Sequence, residues 1–497
     1  MKKIRTRFAP SPTGALHIGG VRTALYNYLF TKQNGGEFIL RIEDTDQERY
    51  VESAEQYIID SFKWFGIEFD ESPMNPNPKY GPYRQSERTM YKEYVDILLD
   101  QGYAYIAFDT RDELDEMRES YKKMKKNFMY NYITRNNMKN SITLSSEDVQ
   151  KRIDNGDPYV VRFKMPRDRT LIVEDLIRGK VKFNTNTLDD KVLMKADGTP
   201  TYHMANIVDD HLMEISHVVR GEEWLPSLPL HYLLYEAFDW ETPQFAHLNL
   251  ILNPDGKGKL SKRSAIKKGF SVFPLTASIK VDDIDYVMEG YKEKGYESEA
   301  VINFLALLGW SLPDNREIIS LEEMINEFDM NRLSKAGARF DLDKLDWFNS
   351  QYVNKIDTCE IILPSELYEN DKEDMIANLC KERATLRKDF DIVRNLFYNH
   401  ITSYTDIEKV DSNCVLIFTD ILDNIDNIKF NNEEEIKQFI YNLTVKRGVK
   451  FGKIMPGLRQ AITGGVSGPN LMSTMYILGK IETQKRISAA LYTVNHG

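Results

Sequence analysis

Cysteine is scarce: Cys359, Cys380 and Cys414 are the only three in 497 residues, and none forms a CxxC or CxC pair. Such spacing disfavours a disulfide framework and a cysteine-rich zinc site, so these residues are expected to be small core side chains. No run of about 18 apolar residues occurs, which excludes an evident spanning helix. The start, MKKIRTRFAPSPTG, has basic residues but no apolar segment behind them. It does not read as a secretory signal, and a cytoplasmic location is expected. An overall basic excess is missing as well: the net charge is −11, which counts against indiscriminate nucleic-acid binding. The two common phosphate-loop patterns, GxxxxGK[ST] and GxGxxG, are absent.

What is present is an ordinary globular composition, 42% apolar and 28% charged, in a chain too long for one core. About three to five domains are expected. The basic residues are unevenly placed. Residues 118–140 carry seven Lys or Arg, including Lys122 and Lys123, against the single acid Glu119, with Tyr121, Phe128, Tyr130 and Tyr132 interleaved. Residues 444–465 hold five basic residues, among them Lys446, Arg447 and Lys450, and no acid. Patches of this kind engage phosphates even on an acidic chain; they also occur as plain solvated helix faces and loops, and both readings stand at this point.

Along the chain, residues 4–9 read as a strand, 16–32 as a helix stopped by Gly35-Gly36, and FILRI at 38–42 as a buried parallel strand. This is the unit of a doubly wound sheet, with the intervening loop at the carboxyl end of its first strand, where such sheets bind ligands. A second α/β stretch follows at 191–252: strand, Asp-Gly turn and helix over 191–212, a strand at 215–221, a helix at 224–238 and a strand at 245–252. Between the halves, residues from about 100 to 190 differ in charge texture, which suggests one split nucleotide-binding domain with an insertion. Beyond residue 320 the pattern is helical, opening with a capping box of Ser320 and Glu323. Helical periodicities follow at 376–400 and 433–443, and the acidic, asparagine-rich tract at 406–435 reads as loop and helix surface.

The loop FAPSPTGALHIGG at 8–20 places His17 at a helix entrance, followed by Gly19-Gly20. An imidazole there can donate a hydrogen bond to a phosphoryl oxygen as charge builds on it, and glycines let a flat base or ribose approach the backbone. A lone histidine beside glycines is often structural. A second cationic element, DGKGKLSKR at 255–263, with Lys257, Lys259, Lys262 and Arg263, makes a mobile phosphate-closing loop the better reading.

FAPSPTGALHIGG with KLSKR resembles the HIGH and KMSKS pair of class I aminoacyl-tRNA synthetases, with Gly20 in place of the last HIGH residue. SPTG, RIEDTD (41–46), GPYRQSER (81–88), DGTPTYHMANIVDDHLM (197–213) and RGEEWLPSLPLH (220–231) extend the resemblance to the glutamyl-tRNA synthetases of bacterial type. The resemblance implies a Rossmann-like α/β catalytic domain with a parallel sheet, split by an inserted α/β acceptor-binding domain and followed by an α-helical anticodon-binding region. It places the catalytic halves at 1–99 and 191–252, the insertion at 100–190, the KMSKS loop and stem-contact domain at 253–335, and the anticodon region at 336–497.

It further implies that glutamate is joined to ATP, with magnesium, and then passed to the terminal adenosine of a glutamate tRNA. His17, Lys259 and Lys262 would be catalytic. Pro12, Thr13, Gly14, Gly19, Gly20, Trp224, Leu225 and Ser261 would complete the ATP site. Arg7 and Arg220 would clamp the glutamate side chain, Glu43 would accept its ammonium, and Ala9, Ser11, Tyr202 and Asn206 would line the pocket. Arg41, Glu43, Asp44 and Arg220 could otherwise be salt bridges at strand ends. Relatives specific for glutamine keep the final His of HIGH, carry Asp at the position of Glu43, and use β-barrel anticodon domains; those departures favour glutamate here. No zinc is expected, because the CxC that some relatives place at the start of the insertion is replaced by Tyr103-Ala104-Tyr105-Ile106-Ala107. Arg383 would read an anticodon base, Lys122, Lys123, Lys446, Arg447 and Lys450 would meet tRNA, and the chain would be a monomer.

Overall fold

Arg5–Phe8 form strand β1, buried at every residue, and Glu37–Leu40 form β2 parallel to it, with Arg7 opposite Ile39. Helix α1 (Ile18–Gln33) joins them, and Gly35 turns the chain out of it at φ +62°, a left-handed conformation glycine adopts without cost. The expected strand, loop, helix and parallel strand are therefore present. In this computed structural model, residues 3–362, 368–465 and 468–496 are described, and the chain divides into two units, 1–293 with 301–342, and 294–300 with 343–497.

Next in the first unit come α2 (Glu52–Trp64) and α3 (Tyr91–Asp100). Strand β3 (Ala104–Ala107) and helix α4 (Arg111–Lys123) follow; α4 has a complete Thr110–Glu113 capping box and no buried residue. After α5 (Ser146–Asp154), strands β4 (Val160–Phe163), β5 (Thr170–Asp175), β6 (Gly179–Asn184) and β7 (Val192–Met194) appear. The second α/β stretch then supplies α6 (Tyr202–Leu212), β8 (His217–Gly221), α7 (Leu228–Ala237), β9 (Gln244–Leu248) and the short β10 (Ile251–Leu252).

The main sheet runs β6-β5-β9-β8, with β5, β9 and β8 parallel and β6 antiparallel at one edge. Beside β8, the Ser216 N–H donates to the Arg5 carbonyl at 3.0 Å, which brings β1 alongside. Two assignments differ from the sequence reading. The strand expected from 191 joins β3 and β4 in a separate antiparallel sheet, and β5, from within 100–190, pairs with β9 in the main sheet. The run 245–252 breaks at Asn249-Leu250, so β10 pairs elsewhere, with Ala338-Arg339. Alternation alone does not say which neighbour a strand takes.

After α8 (Lys262–Lys268), a hairpin of Ala277–Val281 and Ile284–Met288 turns at Asp282 and Asp283, both with positive φ. The Ser320–Glu323 capping box forms as expected. The second unit is helical around a core that includes Ile376, Phe418, Ile440, Leu458 and Ile477. The periodicity at 376–400 resolves into two helices, Asn370–Lys381 and Asp389–Tyr398, and within 406–435 Ser412–Asn424 is helical. Cys380 and Cys414 are buried, but Cys359 is exposed and is no core residue.

Candidate active site

His17 caps the N-terminus of α1, and its Nδ1 accepts the Gly19 N–H at 2.8 Å. A Cβ on Gly19 would sit 3.0 Å from that nitrogen, so glycine is what lets the ring fold back. With Nδ1 occupied as an acceptor, the neutral ring carries its proton on Nε2. That nitrogen is buried and has no hydrogen-bond partner among the described residues. Burial first, then the charges of Lys262 and Lys259, push the His17 pKa down to about 3. Between pH 5 and 9 the residue is thus a neutral donor held ready for an acceptor. Gly14, at φ +130°, bends the preceding loop so that its backbone passes near the Lys262 ammonium.

Carboxylates and guanidiniums meet beneath this loop. Tyr202, Asn206 and Asp210 stand four residues apart on α6 and share one face. Asp210 takes Arg7 Nε and Nη2, each at 3.0 Å, and Arg41 Nη1 at 2.7 Å. Arg41 Nη2 continues to Glu43 Oε1 at 2.9 Å, which also accepts from Asn206 Nδ2 at 3.1 Å. Burial raises a carboxyl pKa, but here Arg7 and Arg41 outweigh it and hold Asp210 below the usual carboxylate range. Arg41 is wholly buried, and Asp44 is occupied by the N–H and hydroxyl of Ser86. For Arg41 and Asp44 the salt-bridge and capping role accounts for the contacts. Asp210→Ala would leave two buried guanidiniums without their shared counter-charge and is expected to cost about 3–5 kcal/mol of stability, read from urea unfolding.

Arg220 differs. Only 5% exposed, it has no carboxylate partner among the described residues: Nε donates to His247 Nε2 at 3.1 Å, Nη1 to the Tyr202 hydroxyl at 3.1 Å and His231 Nδ1 at 3.4 Å, and Nη2 to the Trp224 carbonyl at 3.4 Å. A buried cation satisfied only by neutral acceptors keeps its full charge for an incoming anion. Tyr202 packs against Trp224 with ring centroids 4.5 Å apart.

These groups open on one cavity of about 360 Å³. Arg7, Ala9, Ser11, Glu43, Tyr202, Asn206 and Arg220 all line it. So do Thr13, Gly14, His17, Gly19, Gly20, Trp224 and Lys262. An adjoining cavity of about 320 Å³ shares His17, Gly19, Gly20 and Lys262 and adds Lys259 and Ser261. Pro12 and Leu225 line neither. Lys262 is half-buried, without an ion-pair partner among the described residues, and burial lowers its pKa. Lys259 is paired with Glu223 at 2.8 Å. Among the described residues, no group of three or more His, Cys, Asp or Glu could hold a metal ion.

Sequence reasoning missed the supports: Asp210 behind Arg7, and His231, His247 and Asp175 behind Arg220. The available signal was Asp209-Asp210, two adjacent acids that directly follow the apolar Ile207-Val208 within a helix. Asp209 is also buried, paired with Arg88 at 2.7 Å. Of the residues expected to meet tRNA, Lys122 and Lys123 lie exposed on α4. In the second unit Arg383, Lys446 and Lys450 are exposed, whereas Arg447 is engaged by both oxygens of Asp420 at 2.6 Å. No helix among the described residues is long and apolar enough to cross a membrane.

Residues 3–347 match the family of class I tRNA synthetases (E and Q), catalytic domain, and 334–491 match an anticodon-binding domain. Similar proteins include the glutamate–tRNA ligases of Flavobacterium johnsoniae and Christiangramia forsetii, each 48% identical over 99% of both chains. The chain belongs to the glutamate–tRNA ligase family. Among solved structures, a glutamate–tRNA ligase from Elizabethkingia meningosepticum, in complex with its amino acid, is 48% identical over 99% of this chain and 100% of that one, with a TM-score of 0.89. A glutamate–tRNA synthetase from Elizabethkingia anophelis aligns with a TM-score of 0.88 at the same identity. A class I catalytic domain and a helical anticodon domain thus make up this chain.

Proposed function

We propose that the chain is a glutamate–tRNA ligase that activates L-glutamate with ATP and transfers it to the 3′-terminal adenosine of a glutamate-accepting tRNA. The observation that carries this reading is the uncompensated guanidinium of Arg220, facing the same cavity as the free His17 Nε2–H and the Lys262 ammonium. The first is a site for an acidic side chain, and the other two are donors for a phosphoryl group.

In the first step an oxygen of the substrate's α-carboxylate attacks the α-phosphorus, the new C–O–P linkage forms, and the bond to the β-phosphate breaks, releasing pyrophosphate. His17 donates from Nε2 to the α-phosphoryl oxygen as charge gathers there, and Lys262 adds a nearby positive charge. Lys259 exchanges Glu223 for the β- and γ-phosphates. Magnesium bound to the nucleotide's phosphates would offset their charge there, and the reading calls for no zinc. Arg220 holds the side-chain carboxylate, with the remaining Nη1 of Arg7 beside it, while Glu43, fixed by Arg41 and Asn206, accepts the ammonium. Ala9 and Ser11 close the pocket wall, and Thr13, Gly14, Gly19, Gly20, Trp224 and Ser261 surround the nucleotide. In the second step a ribose hydroxyl of the terminal adenosine attacks the acyl carbon, loses its proton, and AMP departs.

In the same reading, residues 100–190 hold the acceptor end, 253–335 the KMSKS loop and stem, and 336–497 the anticodon. Lys122, Lys123, Arg383, Lys446 and Lys450 meet RNA, with Arg447 doing so only by leaving Asp420. The enzyme acts as a cytoplasmic monomer. The test is ATP–pyrophosphate exchange with glutamate, with and without transcribed glutamate tRNA and with glutamine as competitor. Exchange that needs both glutamate and tRNA is the expected result; exchange driven by glutamine, or unaffected by RNA, would refute the assignment.

A further inference from the structure

Arg220 on β8 and His247 on β9 are directly opposite each other in the parallel register. His247 is fully buried; its Nε2 accepts from Arg220 Nε at 3.1 Å, and its Nδ1 lies 2.6 Å from Asp175 Oδ2. Asp175, the last residue of β5 and 1% exposed, uses its other oxygen to accept the backbone N–H groups of Ile177 at 3.0 Å, Arg178 at 2.8 Å and His247 at 3.3 Å. The carboxylate is therefore locked in orientation, and the hydrogen-bond pattern fixes the ring as the neutral Nδ1–H tautomer.

We propose that Asp175 and His247 are positioning residues that set the plane of the Arg220 guanidinium and leave its charge free, and through it favour a carboxylate over an amide at the substrate side chain. This rests on the reading that Arg220 receives that carboxylate. The contrast with Arg7 makes the point: Asp210 touches Arg7 directly and neutralises it, whereas Asp175 reaches Arg220 only through an imidazole. The ring passes on the orientation and keeps the anion away from the cation. Tyr202 and His231 hold Nη1 from the helical side, so the guanidinium cannot swing to follow a badly placed ligand. His231 is kept neutral by the same arrangement, since burial and then the Arg220 charge depress its pKa.

Asp175→Asn is the informative variant. The three backbone donors hold the remaining amide oxygen, so the new NH2 faces His247 Nδ1 and forces the proton to Nε2, against Arg220 Nε–H. In glutamate-dependent pyrophosphate exchange with tRNA, KM for glutamate should rise about tenfold or more. KM for ATP and kcat should stay within about threefold, and discrimination against glutamine should fall. His247→Gln, whose amide oxygen can accept from Arg220 and which has no tautomer to flip, should keep KM for glutamate near wild type, and Asp175→Asn should add little on that background. His247→Asn, too short to reach Arg220, should raise it. An unchanged KM for glutamate in Asp175→Asn, a rise shared equally with ATP, or equal values for His247→Gln and His247→Asn would overturn the proposal. Should Asp175→Asn not fold, the two His247 variants decide alone. Arg220→Ala separates the two levels: if it leaves KM for glutamate unaltered, the site reading falls, and if it raises KM while Asp175→Asn does not, only the positioning role falls.

Discussion

Arg220→Ala should raise KM for glutamate about a thousandfold and remove most of the preference for glutamate over glutamine. The size follows from the burial of the guanidinium and its lack of an acidic partner among the described residues. A charged hydrogen-bonded pair formed in such a place loses 2–5 kcal/mol or more when one member is truncated, and about 4 kcal/mol corresponds to three decades. Glutamine, which brings no charge, should lose far less, so the ratio of kcat/KM for the two amino acids is the sharper readout. Steady-state exchange at varied glutamate and at varied glutamine measures both. A rise of less than tenfold, or an equal rise for the two substrates, would show that the cation is not the carboxylate's seat. The same alteration at Arg7 would be harder to read, because it also strips a partner from Asp210 and so mixes binding with folding.

His17→Ala should leave KM for glutamate within about twofold and slow adenylate formation by about 100- to 1000-fold, equivalent to roughly 3–4 kcal/mol of transition-state stabilisation. The donor is pre-aimed: Gly19 fixes Nδ1, Nε2 is unpartnered, and no reorganisation is needed when charge develops. Because the pKa is pushed down to about 3, the imidazole does not change charge across the working range. The pH profile of the first step should therefore show no ionisation near 6.5 that His17→Ala removes. A limb at that pH, lost in the variant, would mean that His17 acts as an acid in its charged form instead.

The opening unit was legible because its signals are local. A short apolar strand, a glycine-rich turn, an α1 capped by His17 and a second apolar strand each state their own conformation, and the structure follows them almost residue for residue. The capping box at Ser320 was legible for the same reason. The helical periodicity at 376–400 was legible too, but not the break at 382–388 that divides it into two helices, because apolar spacing within each segment does not mark the turn between them. Cys359 shows the limit of composition: cysteine favours interiors on average, yet this one lies exposed.

By itself, then, the sequence determined which residues carry the chemistry: an imidazole behind a glycine turn, lysines in a second loop, arginines ending strands, and the motifs through which these resemble one family. Only the tertiary structure decided what each of those groups has as a partner. Arg7 and Arg220 are indistinguishable as letters, both at strand positions and both buried. Asp210, four residues beyond Asn206 on α6, quenches the first, while a histidine from the adjacent strand and an aspartate from the one beyond it hold the second without quenching it. Strand register and order fix those distances, and they are set by packing between segments far apart in the chain, where no local pattern reaches.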